Sequence, residues 1–477
     1  MRRRRLRGAG SARLVVAGAT GVLAIGVLVA VLSAGGPPPL PLPGIGHPAR
    51  AGDPFAYIPG RQSDFIARAT AGNANVLFAK SPGGALATAA RVARFRSLID
   101  AATAGTSVDP DTLEGIVFLE SAGDPNAIAG SDPANAAGFT QIVAETGQSL
   151  LGMHINLKRS RLLTAQIDRA YGLGETARVA RLQRERAQVD DRFNPSRALA
   201  ATVRYLELAQ RRFGRADLAV VSYHMGIGNL QDVLREYDGG QPVPYVQLFF
   251  DTSPDRHAAA YRLLSGFGDD SWTYYWRVLA AERIMRLYRP DPGALQRLAS
   301  LQTATGSDAE VLHPPSSTPT FSDPDALDVA YADRAILPLP SNAKALGLAY
   351  DPTMGSLAHR LGVSAALYRG LRAPTLDLLI ELAARVRALS GGQAPMIVTS
   401  TVSDARYQQL LGLSDPPAAA GWSFTIARRY VSETQALAFQ AMLDRLQSLD
   451  LIAWERFPDE IEVTVAPDAA HVIVDGP

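Results

Sequence analysis

A glutamate occupies a position where the surrounding helix pattern predicts an apolar side chain. Asp109 can cap the N-terminus of this helix, and Pro110 suits its first turn. The apolar positions that follow recur at spacings of three and four and lead to Glu120: Leu113, Ile116 and Val117. Burial removes solvation from a carboxylate and raises its pKa. Glu120 is therefore a candidate general acid for chemistry near neutral pH.

Short motifs follow Glu120, and their order is more informative than any one of them. They are the pair Glu120-Ser121, the turn Pro125-Asn126-Ala127, the loop Gly138-Phe139-Thr140-Gln141 and the element Tyr223-His224-Met225-Gly226. Together they resemble the catalytic domain of the soluble lytic transglycosylases, which has a goose-type lysozyme-like fold. The family pattern is Glu-Ser, Pro-x-Ala, Gly-Leu-Met-Gln and Ala-Tyr-Asn-x-Gly. His224 departs from it by replacing asparagine, and Phe139-Thr140 departs by replacing Leu-Met.

A later aromatic run completes this resemblance, which covers roughly residues 85–290. The run from 270 to 279 resembles the family element Arg-x-Tyr-Val-x-x-Val and assigns its tyrosine to Tyr274, with Tyr275 as the alternative register. Trp272 and Trp276 are candidate sugar platforms, because sugar rings stack on aromatic faces. The resemblance thus implies Glu120 as the catalytic residue, with these substrate-binding residues: Ser121, Gln141, Tyr223, His224, Trp272 and Tyr274.

The resemblance implies a reaction with a single carboxyl group, whereas most glycosidases use two. Glu120 protonates the glycosidic oxygen between N-acetylmuramic acid and N-acetylglucosamine in the glycan strands of peptidoglycan. The ionised Glu120 then takes the proton of the muramic 6-hydroxyl, which closes a 1,6-anhydro ring. We expect no cofactor and no catalytic metal. Asp124 and Asp132 are close in sequence, but turn capping or solvation explains both.

Two alternatives remain open at the level of sequence. One is a hydrolytic muramidase of the same fold, in which water replaces the 6-hydroxyl. The other is a catalytically silent wall-binding scaffold, in which the changes at His224 and at Phe139-Thr140 have removed activity. An intact Glu120 argues against the scaffold, because an idle buried carboxylate only lowers stability.

The N-terminus predicts a location at the cell envelope. Six arginines and no acidic residue lie within residues 1–13, and an uncharged stretch spans residues 14–33. Twenty such residues can cross a bilayer as a signal anchor. The basic segment then stays cytoplasmic and the catalytic domain lies on the outer face of a single-pass membrane protein. The alternative is a cleaved signal peptide.

Composition excludes several other classes of protein and partner. The net charge is +1, so removing the six arginines of residues 1–13 leaves −5 for the remainder. This charge argues against nucleic acid as a partner and against attraction to anionic lipid. The chain has no cysteine, which excludes disulfides and a lipid-modified cysteine.

The length predicts a multidomain protein: a mostly helical lysozyme-like domain and a C-terminal α+β domain. The predicted ranges are a Pro-rich linker at 34–62, the catalytic domain at 63–290, a second linker at 291–339 and the α+β domain at 340–477. Within the catalytic domain, residues 147–193 predict an inserted helical pair. This pair either edges the cleft or is a solvated surface feature.

The C-terminal region resembles the zinc D-Ala-D-Ala carboxypeptidase superfamily over about 80 residues. Ala418 stands at the first histidine position, Thr425 at the aspartate and Glu460 near the last histidine. Zinc requires His, Cys or carboxylate ligands, so two of the three positions cannot coordinate it normally. We interpret the domain as a metal-free relic whose expected ligand is a peptide stem or a cell-wall protein partner.

Overall fold

The computed structural model describes residues 53–268, 270–304 and 307–474. The predicted basic segment at 1–13 and the predicted membrane span at 14–33 lie outside these ranges. Among the described residues, no helix combines the length and apolar character needed to cross a bilayer.

The N-terminal two thirds of the described chain are helical. The helices are α1 Gln62–Gly72, α2 Asn75–Lys80, α3 Ala85–Ala93, α4 Arg96–Thr103, α5 Pro110–Ser121, α6 Ala144–Ser149, α7 Leu157–Gly172, α8 Thr176–Val189, α9 Pro195–Phe213, α10 Ala216–Met225, α11 Ile227–Asp238, α12 Tyr245–Asp251, α13 Ala258–Gly266 and α14 Tyr274–Tyr288.

Helix α5 begins where the sequence pattern predicts. The Asp109 side chain accepts the backbone N–H of Asp111, and Pro110 occupies the first turn. The helix ends where Ala122 adopts a left-handed conformation with φ of 51°. Its Gly115 faces α14 so closely that a Cβ there would lie 2.9 Å from the Val278 carbonyl oxygen. This close approach brings the start of α14 to the end of α5.

The predicted insertion contains the helical pair α7 and α8. The two helices share a small core of their own, separate from the main core of the domain. Its buried members are Leu163, Ile167, Ala170 and Leu182. The pair therefore forms a distinct helical hairpin on the surface of the domain.

The C-terminal region is α+β, as the sequence predicts. Its main strands are β2 Leu348–Tyr350, β4 Met396–Ser400, β5 Ser423–Ala427, β6 Ile452–Arg456 and β7 Glu460–Val465, and its short strands are β1 Leu337–Pro338 and β3 Gly370–Leu371. The five main strands form one sheet in the order β2-β4-β5-β7-β6, in which only the β2–β4 pair is parallel. The helices of this region are α18 Ala373–Leu389, α19 Ala405–Leu411, α20 Glu433–Ser448 and α21 Ala469–Val474.

The segment 291–339, expected to be a linker, instead forms three helices. They are α15 Pro292–Gln302, α16 Ser307–Leu312 and α17 Pro324–Ala332. The linker prediction rests on a stretch rich in Pro, Ser and Thr that includes residues 313–319, whereas Pro292 and Pro324 each follow an aspartate cap and occupy the first turn of a helix. Leu295 and Leu327 are fully buried, so this segment is part of the folded protein.

The helical and α+β regions share one hydrophobic core. Helix α1 approaches α20 so closely that a Cβ on Gly72 would lie 2.0 Å from the Gln447 carbonyl oxygen. The described end of the expected 34–62 linker belongs to this junction, since the Asp53 carboxylate accepts a hydrogen bond of 2.9 Å from Arg385. The C-terminal region therefore supports the helical region through direct packing.

Candidate active site

Glu120 lies in the last turn of α5 and is half-buried. Its Oε1 accepts a hydrogen bond of 2.7 Å from the hydroxyl of Tyr274, the first residue of α14. Burial raises the pKa of Glu120, while the charge of His224 and the hydrogen bond from Tyr274 oppose that rise. Burial also raises the pKa of Tyr274 well above its usual value, so this hydroxyl stays a donor.

His224 lies beside this pair near the end of α10. Its ring stacks on the ring of Tyr274, with centroids 5.0 Å apart and an interplanar angle of 27°. Its Nδ1 lies 2.9 Å from the Ser271 Oγ, and the side chain is otherwise exposed. The histidine thus covers one face of the tyrosine that holds Glu120.

Tyr223 connects the same helix to the loop that precedes α6. Its hydroxyl donates a hydrogen bond of 2.7 Å to the Thr140 carbonyl oxygen and lies 3.3 Å from the Thr202 Oγ1. Burial, with a contribution from the charge of Glu120, raises the pKa of Tyr223. A neutral Tyr223 therefore fixes the backbone of this loop next to the glutamate.

Gln141 holds that loop closed from within. It has φ of 53°, and its Nε2 donates to the Ala127 carbonyl oxygen at 3.1 Å and to the Gly138 carbonyl oxygen at 2.8 Å. Gly138 has φ of 79°, and a Cβ there would lie 1.9 Å from the Arg192 carbonyl oxygen. Only glycine fits this position.

The two aspartates near Glu120 in sequence form hydrogen bonds with other groups. Asp124 accepts the backbone N–H of Asn126, and Asp132 pairs with Arg161 at 2.8 Å. Among the described residues, neither aspartate contributes to the pKa of Glu120. The geometry therefore provides one half-buried carboxyl group that is held by a tyrosine and flanked by a histidine.

Comparison with known proteins identifies the domain. Residues 169–242 match the family model of the transglycosylase SLT domain. This chain carries a transglycosylase SLT domain. The family consists of lytic transglycosylases that act on peptidoglycan, so the chain is an enzyme of this peptidoglycan-cleaving type. Neither the curated proteins nor the solved structures provide a significant match.

The matched part of the SLT domain includes Tyr223 and His224, whereas Glu120 and Tyr274 lie outside it. The structure connects the two parts. Helix α10 carries His224 onto Tyr274, and Tyr274 contacts Glu120. The fold around the matched segment is mostly helical, as expected for a lysozyme-like domain.

Two residues expected to bind substrate make other contacts in the structure. Ser121 is 1% exposed, and its hydroxyl donates to the Val117 carbonyl oxygen of its own helix. Being one residue beyond Glu120, it turns toward the core. Trp272 packs against Phe249, with centroids 5.5 Å apart, and lines a cavity at the junction with α18 and α20. Trp276, the other candidate platform, is fully buried.

Sequence reasoning missed the pair that supports the Gln141 loop. Arg192 and Asp190 are fully buried and form an ion pair of 2.7 Å. Arg192 also donates to the carbonyl oxygens of Pro133, Asn135 and Ile142 at 2.6, 3.0 and 3.2 Å. The three contacts with carbonyl oxygens join segments 50 or more positions apart in sequence, so no local pattern could have predicted them.

A second glutamate of α5 shows how a buried glutamate with a purely structural role differs from Glu120. Glu114 is fully buried and forms ion pairs with Arg96 at 3.0 Å and with Arg289. Burial raises its pKa, and the two arginines oppose this effect. Within the described ranges, Glu120 forms no such ion pair with an arginine or lysine, which distinguishes it from Glu114.

We expect Tyr274→Phe to change the pH dependence of glycan cleavage. The hydroxyl of Tyr274 stabilises the ionised form of Glu120, so its removal raises the pKa of Glu120. Glu120 then stays protonated to higher pH, so the alkaline limb of the pH–rate profile should shift to higher pH. A hydrogen bond to a charged group is worth about 1.5–3 kcal/mol, so cleavage should fall about ten- to a hundredfold. An unmoved alkaline limb would show that Tyr274 does not act through Glu120.

Proposed function

We propose that the protein is a membrane-anchored lytic transglycosylase that cleaves the β-1,4 bond between N-acetylmuramic acid and N-acetylglucosamine. Its product carries a 1,6-anhydro-N-acetylmuramic acid end. The observation that carries this proposal is the environment of Glu120. This carboxyl group is half-buried, forms no ion pair with an arginine or lysine of the described residues, and accepts the hydroxyl of Tyr274.

The proposed reaction uses Glu120 in two successive roles. Protonated Glu120 donates its proton to the glycosidic oxygen as the bond from that oxygen to the muramic anomeric carbon breaks. The resulting carboxylate is stabilised by the hydrogen bond from Tyr274 and by the charge of His224. It then accepts the proton of the muramic 6-hydroxyl as that oxygen bonds to the anomeric carbon. Glu120 ends protonated, and no water enters the product.

The other proposed site residues position this chemistry. Tyr223 and Gln141 fix the loop beside Glu120 through Thr140, Ala127 and Gly138. The exposed ring of His224 is the group best placed to contact a sugar. The hydrolytic muramidase remains the competing proposal, because the same acid can serve a water nucleophile.

Mass spectrometry of fragments released from purified cell wall tests the proposed product. The protein should release muropeptides whose muramic end is lighter by one water than a reducing end. This result follows from the closure of the 6-hydroxyl onto the anomeric carbon. Products with only reducing ends would contradict the proposal and support the muramidase, and the absence of any release would support the scaffold.

We further propose that the catalytic domain lies on the outer face of the cell membrane. The support comes from the arginines within residues 1–13 and the uncharged stretch at 14–33. A retained anchor keeps the protein in the membrane fraction, whereas a cleaved signal peptide releases it. In either case, residues beyond the stretch are exported to the compartment that contains peptidoglycan.

The C-terminal region is proposed to bind a wall peptide or a protein partner without metal. Ala418 and Glu460 line one cleft of about 700 Å³, together with Asp351, Arg428 and Arg429. Alanine offers no donor atom, and a neutral threonine at position 425 is a poor zinc ligand. Within the described part of the chain, no cluster of three or more His, Cys, Asp or Glu side chains could hold a metal ion.

We expect the purified protein to contain no stoichiometric zinc and to keep its glycan-cleaving activity in the presence of a chelator. A single carboxylate such as Glu460 leaves a zinc ion mostly hydrated and weakly held. Elemental analysis and cleavage assays with and without chelator measure both points. Stoichiometric zinc together with chelator-sensitive peptide cleavage would make the protein an enzyme with two activities.

A further inference from the structure

Positive charge is concentrated in the hairpin formed by α7 and α8. Residues 157–189 contain eight lysines and arginines but only three acidic residues, a net charge of +5. Subtracting this charge and the six arginines of residues 1–13 from the chain's net charge of +1 leaves −10 for all other residues. The hairpin is thus a basic surface on an otherwise acidic protein.

Apolar side chains lie among these charges. Lys158, Leu162 and Arg169 of α7 are separated by four and seven positions, so they share one face of the helix, and Leu173, which directly follows the last helical residue, continues this face. Leu162 is 50% exposed and Leu173 is 63% exposed. This face therefore presents leucines and cations together to solvent.

Several cations of the hairpin have no acidic partner. Glu175 pairs with Arg178, Arg181 pairs with Glu185, and Arg161 pairs with Asp132 outside the hairpin. In the ranges that the structure covers, no ion pair involves the remaining exposed cations Lys158, Arg159, Arg169 and Arg184. These four exposed cations are therefore available to an external anion.

Side-chain contacts join the hairpin to the rest of the domain. The Ser160 hydroxyl donates to Asp190 at 2.7 Å, and the Arg186 guanidinium lies 3.7 Å from the centroid of the Phe193 ring. Arg186 also donates to the Asn126 side-chain oxygen at 3.1 Å, which connects the hairpin to the turn after Glu120. These contacts therefore connect the hairpin that carries the basic face to the segment that follows Glu120.

We propose that the face of α7 with Lys158, Leu162, Arg169 and Leu173 docks on an anionic lipid surface. Cations attract anionic headgroups, and exposed leucines enter the boundary between headgroups and acyl chains. A soluble polyanion could use the cations but would leave the leucines in water. The acidic net charge of the chain does not prevent docking, because screening limits each charge to about 8 Å at physiological salt.

A fluorophore on the hairpin tests this proposal in the full-length protein. The chain has no cysteine, so Leu173→Cys provides a unique attachment point for an environment-sensitive dye. The labelled protein is reconstituted into vesicles of phosphatidylcholine alone or of phosphatidylcholine with phosphatidylglycerol. We expect a blue shift and a stronger emission only in the vesicles with phosphatidylglycerol, and we expect salt to reverse both.

Two further variants and a control site determine the origin of the signal. Val329 is 60% exposed on α17, so the dye at Val329→Cys should give the same emission in both vesicles. Replacing Lys158, Arg159, Arg169 and Arg184 by Gln should abolish the shift at position 173. Hydrogen exchange of the unlabelled protein provides a second measurement. Anionic vesicles should protect α7 from exchange, and the double variant Leu162→Ser with Leu173→Ser should show weaker protection.

Other outcomes would overturn the proposal. Equal emission at position 173 in both kinds of vesicle would exclude docking through charge. A hairpin that is protected by soluble polyphosphate but not by anionic vesicles would identify a polyanion as the partner. Unchanged protection in the double leucine variant would lead to the same conclusion, because a soluble polyanion does not use the leucines.

Discussion

Glu120→Gln should lower the rate of glycan cleavage by at least about a hundredfold while the protein stays folded. Glutamine keeps the size of the side chain and can still accept the hydroxyl of Tyr274, but it cannot deliver or take a proton. General acid–base catalysis contributes about a hundred- to ten-thousandfold, and here one group serves both steps. Release of soluble muropeptides from purified wall measures the rate, and circular dichroism checks the fold.

The matched control for this substitution is Glu114→Gln on the same helix. Glu114 is buried between Arg96 and Arg289, so its neutralisation should lower stability. It should leave cleavage nearly unchanged at a temperature where the variant is folded, because Glu114 does not contact Glu120. If Glu120→Gln retained wild-type turnover, or if both variants lost activity equally, the assignment of Glu120 would be wrong.

Arg192→Met should produce the largest loss of stability among the side chains that support the site. It leaves Asp190 buried without its cation and leaves three carbonyl groups without their donor. Removing one partner of a buried ion pair costs about 3–5 kcal/mol. The free energy of unfolding should therefore fall by about this amount in denaturant titrations, and cleavage should also fall because the Gln141 loop loses its support.

Arg161→Met provides the control, since Arg161 forms its ion pair with Asp132 on the surface. This exposed pair is screened by solvent, so its loss should hardly change the unfolding transition. Equal destabilisation by both substitutions would contradict the role given to burial of Arg192. A stable Arg192→Met variant with normal activity would show that the loop does not depend on this residue.

Local sequence signals predicted the elements that carry the candidate site. The cap at Asp109, the proline after it and the apolar spacing placed α5 correctly, because all of these signals act within a few residues. The positions of Tyr274 and His224 came from the family resemblance, and the structure brings both to Glu120. The match of residues 169–242 to the SLT domain independently supports that resemblance.

The features that were missed depend on contacts between distant segments. Ser271 reaches His224 across 47 positions, and Arg192 contacts carbonyl groups 50 or more positions away. The sequence around Trp272 could not show where this side chain packs, because its neighbours include α18 and α20, which lie more than 100 residues later. The segment 291–339 resembled a linker because of its stretch rich in Pro, Ser and Thr at 313–319, which is not helical, whereas the residues on both sides of this stretch form helices.

The central claim is that Glu120 activates the substrate's own 6-hydroxyl rather than water. Digestion of purified wall in water enriched in heavy oxygen tests it most directly, because hydrolysis places a solvent oxygen on the new muramic end. We predict that mass spectrometry will find anhydro ends without heavy oxygen, and that Glu120→Gln will produce almost none of them. Reducing ends that have gained heavy oxygen during cleavage would contradict the proposal and identify the enzyme as a muramidase.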